Sequence, residues 1–292
     1  MQSIAKSMLM LFLAQTCVGL NIVLSKGLID HINPIIILAI RFSFASIFMF
    51  VLLLSSKEDH IFKLTLTRTD WLVLLTKGLG AGILFNFIML SGLYFTNANS
   101  AGLITSLLPA MVICLNVMFF KQKLNRKMLI AIAISVAGLV LINFGAINAN
   151  SKNALIGNLL VLLALVPEAL YYALSKYYPI KIHPILKALL FNALNLPFLY
   201  MIVVFIPVSS WSIITWHDWV IMAIIGLTTG LFFVFWQKGI QYIDAAYAAL
   251  STAFMPLATV ILAWIILGET LSITKLIGML LVMLSIVSYA RK

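Results

Sequence analysis

Charged residues are scarce in this 292-residue sequence: they make up 9% of it, with 8 Asp and Glu against 19 Lys and Arg. A water-soluble domain of this length needs far more polar surface, so the apolar side chains, 63% of the chain, are expected to face lipid. Cysteine is nearly absent. Cys17 and Cys114 both lie inside apolar stretches, which argues against a disulfide framework and leaves the redox compartment undecided. The four histidines, His31, His60, His183 and His217, fall at loops or segment ends without metal-ligand spacing, so neither a metal nor a cofactor is expected. Polar stretches are short too: no loop exceeds about 15 residues, which leaves no room for a soluble domain or a low-complexity linker. The string GLGAG at 78–82 lacks the following Lys-Ser/Thr of a phosphate loop and lies in an apolar run. With no nucleophile, acid/base pair or metal to place near the lipid surface, the chain is read as neither an enzyme nor an ATP-driven pump.

Long hydrophobic runs are what the sequence does have. They match the ~20 residues that a helix needs to cross ~30 Å of hydrocarbon. With Pro, Gly, Asn and charge as punctuation, the runs predict helices near 7–29, 34–55, 71–94, 98–120 and 128–145, then 156–176, 184–206, 218–239, 246–267 and 274–290. The first is too long for a cleaved signal peptide and runs straight into a second. Pro34 and Pro184 suit the first turns of the second and seventh helices, and Asn97 and Asp244 are candidate N-caps of the fourth and ninth. The net charge of +11 is spread over short loops rather than along one face, which argues for topology over nucleic-acid binding. A cytoplasmic N-terminus leaves only Lys26, Lys152 and Lys275 on the far side, so both termini are expected in the cytoplasm, with the chain integral to the cytoplasmic (inner) membrane.

The halves repeat. Asp70, Trp71, Gly78, Gly82 and Phe85 recur 148 positions on as Asp218, Trp219, Gly226, Gly230 and Phe233. Gly92, Ala98, Ala101, Thr105 and Pro109 recur 147 positions on as Gly239, Ala245, Ala248, Thr252 and Pro256, and Leu24-Ser25-Lys26 and Pro34 recur 150 positions on as Leu174-Ser175-Lys176 and Pro184. Five spans per copy is an odd number, so the second copy must enter the membrane from the opposite side. The expected fold is therefore an all-α integral membrane protein of ten transmembrane helices, an inverted five-plus-five repeat with halves at 1–150 and 151–292. The paired glycines read as close-packing positions. Pro109 and Pro256, at matching places in the fourth and ninth helices, are candidate breaks or hinges, as is Pro167 in the sixth.

The repeat, the span count and local strings together resemble the EamA family of the drug/metabolite transporter superfamily. The strings are GLNIVLSKGL and NPIIILAIRF in the first two helices, SAGLITSLLP in the fourth, AAYAALSTAFMPLATVILAWIILGETLS across the ninth and IGMLLVMLSIVSY in the tenth. The resemblance covers nearly the whole chain. It implies ten helices around a central cavity and substrates such as amino acids, other small metabolites or organic cations. This chain departs from the family at Pro167-Glu168, where an aromatic residue with small neighbours is common.

Glu168 is the one carboxylate near the centre of an expected span, roughly 18 Å deep at ~1.5 Å per residue, too far to snorkel. A charge there must be paired, hydrated or protonated, which makes it the leading functional candidate. Tyr171 and Tyr172 share its helical face, an arrangement suited to an ammonium group by charge and cation–π attraction. Gln15, Asn86, Thr105, Trp236 and Thr252 are further candidates for a cavity lining. Arg41, in the AIRF string, either snorkels to a headgroup or serves as a gate or carboxylate partner, whereas Lys77 is expected to snorkel to a headgroup. Glu269 is expected to be a structural cap or loop contact rather than a coupling site. The function these features predict is a secondary transporter moving a small polar metabolite, an amino acid or organic cation, by alternating access. Glu168 would bind the ammonium group, a coupling proton, or each in turn. The alternatives are a dedicated quaternary-amine (choline-type) carrier using Glu168 and aromatic residues, and a passive channel. The expected partners are the substrate, a proton and the bilayer; the oligomeric state is open.

Overall fold

The computed structural model describes residues 2–55, 66–121, 126, 129–130, 133–134, 137–138, 141, 152–178, 180, 182–239 and 254–290. Among the described residues the regular structure is helical: α1 (Gln2–Ile29), α2 (Pro34–Ser55), α3 (Arg68–Lys77), α4 (Phe85–Phe95), α5 (Ala98–Thr105), α6 (Leu108–Phe120), α7 (Lys152–Tyr177), α8 (Pro184–Ala193), α9 (Leu196–Val203), α10 (Ser209–Ser212), α11 (Trp216–Gly239), α12 (Phe254–Leu267) and α13 (Ile273–Ala290). Six helical stretches of the described residues are long and apolar enough to cross a membrane, or 7 if the bent pair α5–α6 counts as one. The expected fifth span lies mostly outside the described residues, as do Asp244 and the start of the ninth.

Local chemistry sets the helix ends. Pro34 and Pro184 open α2 and α8, where a missing N–H costs nothing. Asn97 Oδ1 accepts from Ser100 N at 2.8 Å and caps α5. Thr67 and Asp70 form a capping box at α3, with Thr67 N donating to Asp70 Oδ2 at 2.9 Å and Asp70 N to Thr67 Oγ1 at 3.2 Å. Thr215 and Asp218 repeat it at α11, at 2.9 and 3.3 Å. Each box satisfies two of the N–H groups that a helix start leaves orphaned.

Three spans are not the uninterrupted helices that hydropathy suggests. Between α3 and α4 the chain is π-helical over Gly78–Leu84. Asn86 Nδ2 donates to Gly82 O at 2.6 Å and to Ala81 O at 3.1 Å, binding carbonyls of this segment. The break expected at Pro109 falls just ahead of it, at Ser106–Leu107, so Pro109 sits in the first turn of α6 and α5 and α6 diverge by 43°. A second break, at Leu194–Asn195, divides α8 from α9, where Pro197 is again in the first turn. Pro167 is inside the continuous α7, leaving the Leu163 carbonyl without its usual donor. Pro256 is in the first described turn of α12, and the residues before Phe254 lie outside the described ones.

Packing runs between the halves. α1 lies against α11 and α12, α2 against α8 and α11, α4 against α7, and α5 against α7 and α12. Glycines permit the closest crossings. A Cβ on Gly92 would stand 2.8 Å from Val161 Cγ2 and 2.9 Å from Gly157 O, and one on Gly239 would stand 2.6 Å from Leu11 Cδ2. The partners, Leu11 and Val161, are themselves 150 positions apart. The same exchange links Gly230 to Phe48 and Met49 of α2, and Gly82 to Asn195 at the end of α8.

At one end of the bundle His31 Nε2 meets Asp218 Oδ1 at 3.2 Å, and Lys26 Nζ donates to Leu93 O at 2.8 Å. There too Glu269 accepts from Ala98 N at 2.9 Å and Asn99 N at 2.8 Å. Glu269 thus caps α5 from the far end of α12, as expected of a structural cap. At the other end Lys77 is buried and donates to Tyr178 O at 3.3 Å. The expected snorkelling of Lys77 is therefore corrected: a backbone carbonyl at the end of α7 holds the ammonium inside the bundle.

Candidate functional site

A cavity of about 140 Å³ opens between α1, α2, α4, α5, α7, α8 and α11, with the first turns of α6 and α12 at its edge. The breaks help to shape it: Thr105, Ser106 and Leu108 line it at the α5–α6 turn, and Ala81, Phe85 and Asn86 line it at the end of the π-helical segment. It gathers Gln15, Arg41, Asn86, Thr105, Glu168, Tyr171 and Trp236 from the sequence-predicted set. Thr252 lies outside the described residues, and so does the side chain of Tyr172.

Arg41 is the organising cation. Buried on α2, it donates through Nη2 to Asn86 Oδ1 at 2.9 Å. Asn86 can accept there because its own Nδ2 is committed to the π-helical carbonyls, which fixes the orientation of the amide. The guanidinium carbon stands 5.2 Å from the centre of the Phe42 ring. Nε of Arg41 is buried without a hydrogen-bond partner among the described residues, a costly state for a charged donor unless something else occupies that direction.

Glu168, from α7, faces the same space. Among the described residues it makes no contact ion pair with Arg41; the ion pairs there are Lys26–Asp30 and His31–Asp218. The two formal charges therefore cancel within the lining of one cavity. Gln15 is buried with its side chain toward the lumen, and Thr105 Oγ1 is turned back to Gly102 O at 2.6 Å. Asn21 is held on α11, donating to Thr229 Oγ1 at 3.1 Å.

Aromatic rings form a continuous wall beside these groups. Tyr171 meets Phe191 edge-on at 5.4 Å, Phe191 meets Phe233 at 5.5 Å, Phe233 meets Phe232 at 5.2 Å, and Phe232 stacks on Trp236 at 6.1 Å with 23° between planes. Sequence reasoning singled out Tyr171 and Trp236 but not Phe191, Phe232 or Phe233. The signal was the repeat itself. Phe191 stands 150 positions after Arg41, and Phe233 stands 148 after Phe85. Other lining residues also fall into register pairs: Gln15 with Leu165, Val18 with Glu168, Asn21 with Tyr171, Ala81 with Thr229, and Leu108 with Met255.

The EamA-like transporter family matches this chain over residues 5–144 and again over 155–290. Among curated proteins it is similar to "Uncharacterized transporter YetK" of Bacillus subtilis (strain 168), 28% identical over 91% of this chain and 81% of that protein. It is also similar to "Uncharacterized transporter YyaM" of the same organism, 23% identical over 92% of this chain and 88% of that protein. A solved crystal structure superposes with a TM-score of 0.68 at 17% identity, covering 97% of this chain and 96% of the other, which fixes a shared fold.

Proposed function

Since the chain belongs to the EamA-like transporter family, we propose that it is a secondary transporter of a small zwitterionic metabolite of the amino-acid class. In this reading Arg41 takes the carboxylate and Glu168 the ammonium group. One observation carries the assignment: Arg41 and Glu168 face one cavity with opposite formal charge and without a contact ion pair, and Arg41 Nε has no hydrogen-bond partner among the described residues. A zwitterion entering between them satisfies both charges and leaves the net charge of the site at zero. A lone cation or anion would leave one protein charge uncompensated at low dielectric, which is expensive. The aromatic wall then covers the substrate's apolar part, and Gln15 and Thr105 supply polar contacts at its edge.

The transport mechanism we assign is alternating access by an inverted five-plus-five repeat, with both termini in the cytoplasm. The register pairs around the cavity support it, as do the exchanged contacts Gly92–Val161 and Gly239–Leu11 and the twin capping boxes. A two-fold axis in the membrane plane running through the cavity would generate each of these pairs. The breaks beside the cavity, at Ser106–Leu107 and Leu194–Asn195, are the natural hinges, and Arg41 is the side chain placed to sense occupancy and gate the cavity.

The test is a thermal-stability screen of the purified protein against amino acids, the matching amines and the matching carboxylates. Binding to the folded state raises the melting temperature by mass action. Stabilisation by the amino acid but by neither half-molecule supports the zwitterion reading; stabilisation by simple carboxylates alone refutes it. The aromatic wall favours a second reading, a quaternary-amine carrier, and hits confined to choline-like amines would select it. Flux that rises without saturation would mark a channel instead.

A further inference from the structure

The π-helical segment at the cavity's edge has a defect that one side chain repairs. Gly78 N, at its start, donates to Leu74 O in the α register, whereas Phe85 N, at its end, donates five residues back to Gly80 O. Where donors reaching five residues back give way to donors reaching four, one carbonyl is passed over and loses its N–H. That carbonyl is Ala81 O if the change falls at Asn86 and Gly82 O if it falls one residue later. Asn86 Nδ2 donates to both, at 3.1 and 2.6 Å, and its Oδ1 accepts from Arg41 Nη2 at 2.9 Å.

The segment also seats Asn195. A Cβ on Gly82 would stand 2.9 Å from Asn195 Cγ, and one on Gly78 would stand 3.4 Å from Asn195 Oδ1, so this buried amide lies across both glycines. Asn195 belongs to the α8–α9 break, and its Nδ2 donates to the carbonyl of the cavity residue Phe191 at 2.8 Å. The π-helical segment is thus held from one side by Arg41 through Asn86 and lies against the break on the other.

Guanidinium chemistry makes the first hold conditional. A carboxylate takes a guanidinium through two parallel N–H groups. The two such forks of an arginine are Nε with Nη2 and Nη1 with Nη2, so either one claims the nitrogen given to Asn86. Nε, buried without a hydrogen-bond partner among the described residues, marks the first fork. Once Nη2 is drawn away, Asn86 Oδ1 becomes a buried acceptor without a donor, and nothing keeps the amide aimed at the two carbonyls. An α register, in which each carbonyl of the segment has its own N–H, is then the better state.

We propose that Asn86 is a positioning residue that ties the register of the π-helical segment to the occupancy of Arg41: π while Nη2 is given to Asn86, α once a carboxylate draws Nη2 away. One residue of helix is worth ~100° of rotation and ~1.5 Å of rise. The change therefore turns α3 against α4 and withdraws Gly78 and Gly82 from Asn195, which passes it to the break at Leu194–Asn195. The trigger rests on the zwitterion reading above; the hold of Asn86 on the segment does not.

Nitroxide labels at Leu72 of α3 and Val51 of α2, both exposed, read the turn of α3 by double electron–electron resonance once Cys17 and Cys114 are replaced by Ala. In nanodiscs, a saturating amino-acid mixture should move the label separation of the wild type by several ångströms. Asn86→Leu, Asn86→Asp and Arg41→Met should move it the same way without ligand. Affinity separates positioning from direct contact. Asn86→Leu, which frees Nη2 beforehand, should tighten the amino-acid dissociation constant roughly ten-fold, whereas Asn86→Asp, which holds Arg41 as an ion pair, should weaken it. Weakening by both variants would make Asn86 a substrate ligand and overturn the proposal. Ligand-free variants with the wild-type label separation overturn the hold on the segment. Amino acids that raise the melting temperature of the wild type but leave its labels in place overturn the link to occupancy. Amino acids without effect on either measure, alongside a shift in all three ligand-free variants, sink the zwitterion reading and support the tie between Asn86, Arg41 and the segment.

Discussion

Replacing Arg41 by Lys separates charge from geometry at the centre of the cavity. The substitution keeps a cation on α2 but removes the planar fork that reaches Asn86 Oδ1 at 2.9 Å and whose Nε has no hydrogen-bond partner among the described residues. A lysine ammonium is a compact point charge that satisfies either Asn86 or a substrate carboxylate with poorer geometry. Losing about one charge-assisted hydrogen bond costs roughly 1.5–3 kcal/mol, and each ~1.4 kcal/mol is a factor of ten. The dissociation constant of an amino-acid substrate should therefore rise by about 10- to 150-fold, while that of the matching amine, which lacks the carboxylate, stays within about two-fold. Competition binding in detergent, with the amino acid and its amine measured side by side on both proteins, reads this directly. Equal weakening of amino acid and amine, or no weakening of either, would refute the assignment of the carboxylate to Arg41.

Glu168→Gln should abolish transport if the carboxylate binds the ammonium group; if it carries a coupling proton instead, counterflow of substrate should survive while the pH dependence of net transport disappears. Unchanged transport would remove Glu168 from the mechanism. Gly92→Ala drives a Cβ to within 2.9 Å of a backbone carbonyl on α7 and should destabilise by about 1–3 kcal/mol. Gly27→Ala, where nothing lies within 4 Å, should be near neutral by the same thermal assay, and equal effects would discount the close crossing. Glu269→Ala strips the acceptor from Ala98 N and Asn99 N and should cost about 1–2 kcal/mol, as loss of a helix cap does, with half-saturation at the central site unaltered.

Much of the architecture was legible because punctuation and repetition are local or internal signals. Pro34, Pro184 and Asn97 mark helix starts through the chemistry of missing or capped N–H groups, and the structure places them at those starts. Glu168 was legible because a carboxylate amid apolar residues is conspicuous wherever it points. Direction was not legible. A helix surrounded by lipid and other helices is apolar on nearly every face, so Phe191, Phe232 and Phe233 look the same in sequence whether they line a lumen or meet acyl chains. The π-helical segment was hidden for another reason. Its carbonyls are held by Asn86, and its glycines make room for Asn195 more than 100 residues away, so the segment depends on tertiary partners that hydropathy does not encode. The burial of Lys77 was missed on the same ground, since its acceptor is the Tyr178 carbonyl.

The two matched stretches of the chain agree where they pack and differ around the cavity. Leu11 and Val161, each against its glycine, and the two Thr-Asp boxes are near-equivalent pairs. At the cavity, by contrast, Arg41 stands where the other copy has Phe191, Glu168 where it has Val18, and Tyr171 where it has Asn21. Duplicated packing gives two copies of similar stability that can exchange shapes, which alternating access requires. Duplicated charges would not serve the site: two arginines or two glutamates facing each other across the axis would repel at low dielectric and bind only a doubly charged ligand. In the proposed site, one cation and one anion placed off the axis would hold a zwitterion in a single orientation. Moving the cation alone to its register partner tests the axis: Arg41→Phe combined with Phe191→Arg returns the cation at the related position on α8, beside Tyr171 and Phe233. If the axis and the lining are as assigned, the double variant should recover part of the substrate binding that Arg41→Phe alone removes. No recovery, in a protein whose melting temperature matches that of the single variant, would show that the two positions are not interchangeable and would count against the axis.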